Sequence, residues 1–210
     1  IENLADLTIP YVGDLTVADS ISGLAEAVLA AAPDRFALAG LSMGGYVAFE
    51  IMRTTPDRVE RLALVDTTAH PDAPEQSVKR TVLVAQARSE GLDAVIPQLL
   101  PAFLSSDGAQ DPTLVQSVSE MAHDIGADAF GRQQSAIMGR PDSRPDLLGI
   151  ACPTVVIVGQ QDSMTGGEIA QEMVDSIPDA VLAEIPKAGH LSPLENPAAV
   201  TAALRNWLDI

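Results

Sequence analysis

The 210-residue sequence has few cysteines, few aromatic residues and few positive charges. It contains one cysteine, 3% aromatic residues, and 12 Lys and Arg against 29 Asp and Glu, which gives a formal net charge of −17. One cysteine excludes an internal disulfide framework, and Cys152, next to Pro153 at the entry to an apolar segment, is predicted to be a buried filler. The acidity disfavours a nucleic-acid partner, because phosphate backbones are bound by basic surfaces.

Long apolar runs and cofactor motifs are missing as well. No stretch approaches 18 uninterrupted apolar residues, and no basic segment precedes an apolar one near the start. We therefore expect no membrane span, no signal peptide and a cytoplasmic location. No G-x-G-x-x-G motif follows a strand, no Walker-type loop occurs, and the acidic residues show no metal-ligand spacing, so we predict no cofactor and no metal site.

The sequence does contain an alternation of apolar strands and amphipathic helices. Short runs that are rich in β-branched residues and bounded by turn residues predict buried strands. These runs are 7–13, 35–40, 61–66, 153–159 and 180–186. Helical patterns follow at 20–31, 45–54 and 166–177, and a last helix is predicted after Asn196, with Pro197 at its first position. The alternation predicts an α/β fold with a mostly parallel sheet flanked by helices.

A long segment interrupts this alternation and contains only helical patterns. They lie at 75–89, 91–104, 111–123 and 126–138, separated by Gly, Pro and Asp. We therefore predict that residues 1–67 and 146–210 form the core and that residues 68–145 form a helical cap insertion. The apolar run 95–104 is a candidate lining of the cleft beneath it, although the same run would serve to pack the insertion on the sheet.

One serine lies at a junction between a predicted strand and a predicted helix. Ser42 stands in "LAGLSMGGYVAFE" (38–50), which matches G-x-S-x-G. A serine on such a sharp turn is lifted clear of the sheet, and small neighbours are needed where the turn approaches the surrounding chain. The helix that follows also points its N-terminal N–H groups at any negative charge that develops there. The pattern favours a nucleophile over a simple Gly-rich turn.

A serine nucleophile needs a base, and the base needs an acid to orient it. The chain contains three histidines, His70, His123 and His190. His190 follows the last predicted strand, at the same rim of the sheet as Ser42, whereas His123 falls within a helical pattern. Asp162 follows the strand "TVVIVG" at that rim, and Asp66, at the end of "LALVD", is its rival. The order Ser42, Asp162, His190 favours Asp162.

Three stretches resemble the α/β-hydrolase superfamily, in particular its small bacterial esterases. They are "LAGLSMGGYVAFEIMRTTPDRVERLALVDT", "PTVVIVGQQDSMT" and "IPKAGHLSPLENPAAVTAAL". The resemblance implies a Ser42–His190–Asp162 catalytic triad beneath a helical cap, and it assigns the Met43 N–H to the oxyanion hole. It further implies that Leu41 and Leu191 contact the substrate. One departure is Thr165 and the glycines after it, where the superfamily often has a proline.

The resemblance leaves the front of the chain incomplete. In this superfamily a strand and a loop usually precede the first helix, and the loop donates the second oxyanion N–H. Here "IENLADLTIPYVGD" resembles the helix and strand that come later, so we expect a hydrolase core that is shortened at its N-terminal side. Three accounts stay open: a fragment; a minimal form in which 7–13 pairs with 35–40 and loop 13–15 donates the N–H; or a homodimer in which a second copy covers the exposed sheet edge.

The predicted function is that of a serine hydrolase of the carboxylesterase type. It would cleave small carboxylic esters through an acyl-enzyme, with a small-molecule acyl ester as its partner. The alternative is a non-catalytic or weakly active hydrolase-fold binding protein, or a fragment without a full oxyanion hole. Loss of one oxyanion donor typically lowers the rate about 10²–10³-fold, so it is compatible with residual activity. The sequence does not separate esters from lactones or thioesters.

Overall fold

The computed structural model, which describes residues 2–209, contains a four-stranded parallel sheet in the order β1-β2-β3-β4. The strands are β1 (Phe36–Leu41), β2 (Val59–Val65), β3 (Thr154–Gly159) and β4 (Val181–Ile185). The α-helices are α1 (Ile21–Ala31), α2 (Met43–Thr54), α3 (Pro74–Glu90), α4 (Ile96–Phe103), α5 (Pro112–Met138), α6 (Gly167–Ser176), α7 (Ser192–Glu195) and α8 (Pro197–Asp209). The predicted α/β class with a parallel sheet is confirmed.

The predicted first strand, 7–13, is wrong. Residues 8–15 have no regular secondary structure, and the side chains of Ile9 and Val12 are 95% and 70% exposed. A strand needs a neighbouring backbone with which to exchange hydrogen bonds. The outer edge of β1 has no partner strand within residues 2–209, so the account in which 7–13 pairs with 35–40, one of the three left open, is also wrong. Pairing of that edge with a second copy stays a prediction.

The core occupies both faces of the sheet because side chains alternate along each strand. On one face, Leu62, Leu64 and Val156 pack with helices α1, α2 and α6. On the other face, Ala63 and Ile157 belong to a second cluster with residues of α8. Helix α8 begins as predicted, since the Asn196 side chain accepts a hydrogen bond from the Ala199 N–H at 3.2 Å.

The segment between β2 and β3 is helical, in agreement with the predicted helices. Helices α3, α4 and α5 lie there and surround their own small cluster of buried residues, which includes Ala87, Val95 and Ile96. The two helices predicted at 111–123 and 126–138 form α5, which is interrupted at Gly126, where φ is 77° and ψ is 161°. Glycine adopts such a conformation without a steric penalty. The division of the chain into a core and a cap stays a prediction.

None of the helices within residues 2–209 combines the length and the apolar character that a membrane crossing requires.

Candidate active site

The carboxyl ends of the four parallel strands meet at one rim of the sheet, where polar side chains collect. Ser42 follows β1, Asp66 follows β2, Asp162 lies in the loop after β3, and His190 lies in the loop after β4. Parallel strands bring their following loops together, which is why residues so far apart in sequence become neighbours.

The turn at Ser42 is strained and is held from the neighbouring strand. Its φ of 49° and ψ of −112° lie outside the regions that residues with a side chain ordinarily occupy. The Ser42 N–H donates to the carbonyl of Val65 at 2.9 Å, and the Thr67 hydroxyl donates to the carbonyl of Ser42 at 2.7 Å. Hydrogen bonds from the end of β2 therefore fix both backbone polar groups of the serine.

The two glycines of the G-x-S-x-G motif face different surroundings. A Cβ at Gly40 would overlap the backbone of Gly44 and Gly45, whereas a Cβ at Gly44 would have Leu15 Cδ1 as its nearest neighbour, at 4.0 Å. A Cβ at Gly45, outside the motif, would overlap the side chain of Thr67. The close approach of the turn to the surrounding chain, which the sequence pattern predicts, thus applies to Gly40 and Gly45. At Gly44 there is room for a side-chain methyl group.

We expect Gly40→Ala to destabilise the protein by about 3 kcal/mol, because the methyl group must displace backbone and no side-chain movement can relieve the overlap. Gly44→Ala is the matched control, and it should leave stability unchanged or raise it, since alanine favours a helix over glycine. Chemical denaturation of the two variants measures the difference. Equal midpoints for both variants would contradict the assigned crowding at Gly40.

The structure brings Ser42, His190 and Asp162 into one hydrogen-bonded chain. His190 Nε2 lies 2.8 Å from Ser42 Oγ, and His190 Nδ1 lies 2.9 Å from Asp162 Oδ2. His190 and Asp162 are buried, with 2% and 7% of their surfaces exposed, while Ser42 is half-buried. An imidazole that bonds a carboxylate through Nδ1–H presents an unprotonated Nε2, which can accept the serine proton.

Further bonds hold Asp162 in its ionised form. Its Oδ1 accepts the N–H groups of Met164 and Thr165 at 2.7 and 3.0 Å, and its Oδ2 accepts the Thr165 hydroxyl at 2.5 Å. Burial acts to raise the pKa of Asp162, but the hydrogen bond and charge of His190 and the bonds from Thr165 hold that pKa below its ordinary value. A carboxylate at this position stays charged at neutral pH.

Asp66, the alternative acid, makes no hydrogen bond to the imidazole of His190. Its carboxylate accepts the Gly159 N–H at 2.9 Å and the Ser192 hydroxyl at 2.6 Å. The side chain is fully buried, and burial raises the pKa of Asp66 to about 6, against the hydrogen bonds of Ser192 and Gly159. The geometry thus separates the two aspartates that the sequence left as alternatives.

The raised pKa of Asp66 predicts how stability depends on pH. Between its unfolded value of 3.8 and its folded value of about 6, the folded protein binds the proton more tightly than the unfolded chain. The free energy of unfolding contributed by Asp66 should therefore fall as pH rises through this window, by roughly 3 kcal/mol at most. The free energies of unfolding of the native protein and of Asp66→Asn are measured from pH 4 to 7, and their difference isolates this contribution. A difference that does not change with pH would contradict the prediction.

The other two histidines bind carboxylates away from the serine. His70 Nε2 lies 2.6 Å from Glu172 Oε2, and His123 Nε2 lies 3.0 Å from Asp93 Oδ1. Within residues 2–209, no group of three or more His, Cys, Asp or Glu side chains is arranged to hold a metal ion.

An aromatic ring lies against the hydrogen-bonded chain. The Phe103 ring, at the end of α4, stacks on His190 with 6.2 Å between centroids, and the Leu191 N–H donates to the Phe103 carbonyl at 2.9 Å. The predicted lining segment 95–104 therefore reaches the site at its last residues. Leu41 is 38% exposed at the end of β1. Contact of Leu41 and Leu191 with a substrate stays a prediction.

The backbone N–H of Met43, the predicted oxyanion donor, lies directly after Ser42. Met43 is the first residue of α2, so its N–H has no acceptor within the helix. Of the loop 13–15, which the sequence offers as a second donor, Leu15 lies beside α2 next to Gly44. Donation by that loop stays a prediction.

Sequence reasoning missed three residues that support this site: Thr165, Ser192 and Glu195. The Glu195 carboxylate accepts the N–H groups of Ser105, at 3.0 Å, and Gly189, at 2.6 Å, and so joins the helical segment to the loop of His190. Thr165 bonds its near neighbour Asp162, for which the spacing of three residues was an available signal. Nothing in the sequence pairs Ser192 with Asp66, 126 positions away.

A parallel α/β sheet with a serine on a strand-to-helix turn defines the class of α/β hydrolases. The model of the alpha/beta hydrolase family matches residues 6–204, and the chain belongs to this family. The predicted resemblance is confirmed.

Known relatives include esterases and a lactonase. The chain is 28% identical over 181 residues to a pimeloyl-[acyl-carrier protein] methyl ester esterase of Chromobacterium violaceum, covering 81% of this chain and 68% of that protein. Among solved structures, a thermophilic esterase from Thermogutta terrifontis superposes with a TM-score of 0.85 at 32% identity, over 96% of this chain and 74% of that one. The enol-lactonase from Burkholderia xenovorans superposes with a TM-score of 0.82 at 28% identity, over 91% of this chain and 74% of that one.

Proposed function

We propose that the protein is a carboxylic ester hydrolase with Ser42 as nucleophile, His190 as general base and Asp162 as the residue that orients the imidazole. The observation that carries the proposal is the chain of two hydrogen bonds, 2.8 and 2.9 Å long, from Ser42 Oγ through the ring of His190 to Asp162. A serine hydroxyl is a weak nucleophile until an adjacent base accepts its proton, and this arrangement supplies the base.

The reaction follows from these positions. Ser42 Oγ bonds to the ester carbonyl carbon while its proton passes to His190 Nε2, and the carbonyl electron pair moves onto oxygen. The Met43 N–H and the N-terminus of α2 stabilise that oxyanion. When the tetrahedral intermediate collapses, the alcohol leaves with the proton from His190. Water then attacks the acyl-enzyme by the same steps, which releases the acid and restores Ser42.

We propose small carboxylic esters as the substrate class, with residues 68–145 as a cap over the cleft. The relatives named above act on a methyl ester and on an enol lactone, both of which contain the same acyl–oxygen bond. The separate apolar cluster within α3, α4 and α5 and the stacking of Phe103 on His190 support an insertion that closes over the site. Apolar groups such as Leu41 and Leu191 would contact the acyl chain.

A fluorophosphonate probe tests this proposal directly. Such probes phosphonylate a serine only when its base is assembled, so intact mass should show one adduct on the native chain and none on Ser42→Ala. The absence of an adduct from a folded native chain would rule out the assembled hydrolase.

The alternative, a hydrolase-fold binding protein, is favoured by one observation. Met43 is one proposed oxyanion donor, and a second donor, in the loop 13–15, is likewise only a prediction. Binding of a non-hydrolysable ester analogue, with neither an adduct nor turnover, would support this alternative.

A further inference from the structure

Asp66 is a buried acidic residue that the proposed reaction does not use. It follows the last residue of β2, its side chain has no exposed surface, and its backbone has a φ of 44°. Burial of a carboxylate costs stability unless it is bonded, and a positive φ adds strain. Because Asp66 is both buried and strained, we expect its role to lie in the contacts that it makes at the site.

The Asp66 carboxylate joins the loop of the acid to the loop of the base. Its Oδ1 accepts the N–H of Gly159, the last residue of β3, three positions before Asp162. Its Oδ2 accepts both the hydroxyl and the N–H of Ser192, at 2.6 and 3.2 Å, two positions after His190. One side chain therefore bonds both of the loops whose side chains meet at 2.9 Å, in addition to the backbone bond from the Gln161 N–H to the Ala188 carbonyl at 2.8 Å.

The residues on either side of Asp66 hold the third loop. Val65 accepts the N–H of Ser42, and Thr67 donates its hydroxyl to the carbonyl of Ser42. The end of β2 thus contacts the loops of the nucleophile, the acid and the base through three consecutive residues.

The contacts of Asp66 require an ionised carboxylate. All three groups that reach it are donors, so each needs a lone pair, and an ionised carboxylate supplies them. A protonated carboxyl must donate its own proton, and of these three groups only the Ser192 hydroxyl can turn to accept it. Protonation therefore reverses one bond at the loop of His190.

We propose that Asp66 is a positioning residue whose ionised carboxylate fixes the loop of His190 against the loop of Asp162, and so sets the hydrogen bond from His190 to Ser42. This inference rests on the proposed function. It differs from the role of a reserve acid, because Asp66 acts through Ser192 and Gly159 and makes no hydrogen bond to the imidazole.

Two titratable groups act on Asp66 through their charges. His190 attracts the carboxylate and Asp162 repels it, one from each of the loops that Asp66 joins. With its pKa raised to about 6, Asp66 gains its proton as the pH falls through this value. This protonation should therefore lower the rate near pH 6.

The test compares Asp66→Asn with the native chain on p-nitrophenyl acetate. Asparagine tolerates a positive φ as aspartate does, so the backbone is retained. Its single oxygen cannot accept from both Gly159 and Ser192, and its amide meets a donor. We expect kcat to fall about 10²-fold with KM nearly unchanged, the loss typical of a small misplacement of reacting groups. The acid limb of log kcat/KM should be steeper in the native enzyme than in the variant, which lacks the titrating carboxyl of Asp66.

The matched control is Asp179→Asn, which makes the same substitution at an exposed residue with a φ of 57°. Its kcat and pH profile should equal those of the native enzyme. If Asp66→Asn has the kcat or the acid limb of the native enzyme, the positioning role is overturned. Turnover by the native enzyme in the same experiment still supports the proposed function. Absence of turnover and of probe adduct in the native chain is the separate failure of the proposed function.

Ser192→Ala keeps the test decisive if Asp66→Asn does not fold. This variant leaves the carboxylate in place and removes its hydroxyl donor. We expect kcat to fall roughly tenfold with KM retained, since a hydrogen bond to a charged group is lost at the His190 loop. An unchanged kcat in folded Ser192→Ala overturns the proposal.

Discussion

Replacement of Ser42 by alanine is expected to lower kcat for ester hydrolysis by about 10⁵–10⁶-fold, because no other group can form the acyl-enzyme. The hydrogen bond from Ser42 Oγ to His190 Nε2, 2.8 Å long, connects this serine to a base. The expected loss exceeds that of any other substitution here, since without the nucleophile the base and its acid have nothing to activate. Steady-state hydrolysis of p-nitrophenyl acetate by the purified variant measures it.

The stability of Ser42→Ala should be close to that of the native chain. The backbone bonds that hold position 42, to Val65 and from Thr67, involve only its N–H and carbonyl, which alanine retains. Ser22→Ala, at an exposed position on α1, is the control for handling and expression and should have native activity. Hydrolysis by Ser42→Ala within tenfold of the native rate would remove Ser42 from the reaction.

The sequence predicted most of the sheet because buried parallel strands have a strong local signal. The runs that became β1 to β4 are short, apolar and bounded by turns, and the helices between them follow a period of 3.6 residues. The same signal failed at 7–13, where the pattern is equally apolar but Ile9 is 95% exposed. A hydrophobic pattern indicates which side chains a segment would bury if it formed a strand. Whether the strand forms depends on a neighbouring strand, which the pattern of one segment does not reveal.

The candidate site could be predicted as far as topology determines it. Ser42, Asp162 and His190 each follow a strand, and loops after parallel strands meet at one rim, so the three residues were foreseeable from their places in the chain. Their roles in catalysis remain predictions. The sequence alone could not decide between Asp162 and Asp66, since both follow strands; what separates them is loop conformation, which directs one carboxylate to His190 Nδ1 and the other to Ser192.

The second large effect is expected from Asp162→Asn, which should lower kcat about 10⁴-fold while the fold is retained. The asparagine oxygen is directed to the position of Oδ1, where the N–H groups of Met164 and Thr165 both need an acceptor. The amide nitrogen then takes the position of Oδ2 and donates to His190 Nδ1. The imidazole must carry its proton on Nε2, and in this tautomer it cannot accept the proton of Ser42.

The Asp162→Asn variant is distinguishable from a simple loss of structure. The side chain is isosteric, the two backbone bonds to Oδ1 persist, and the Thr165 hydroxyl can turn away from the amide, so the midpoint of denaturation should move little. Asp179→Asn serves again as the matched control. Native kcat in a folded Asp162→Asn would show that the orientation of His190 does not depend on this carboxylate.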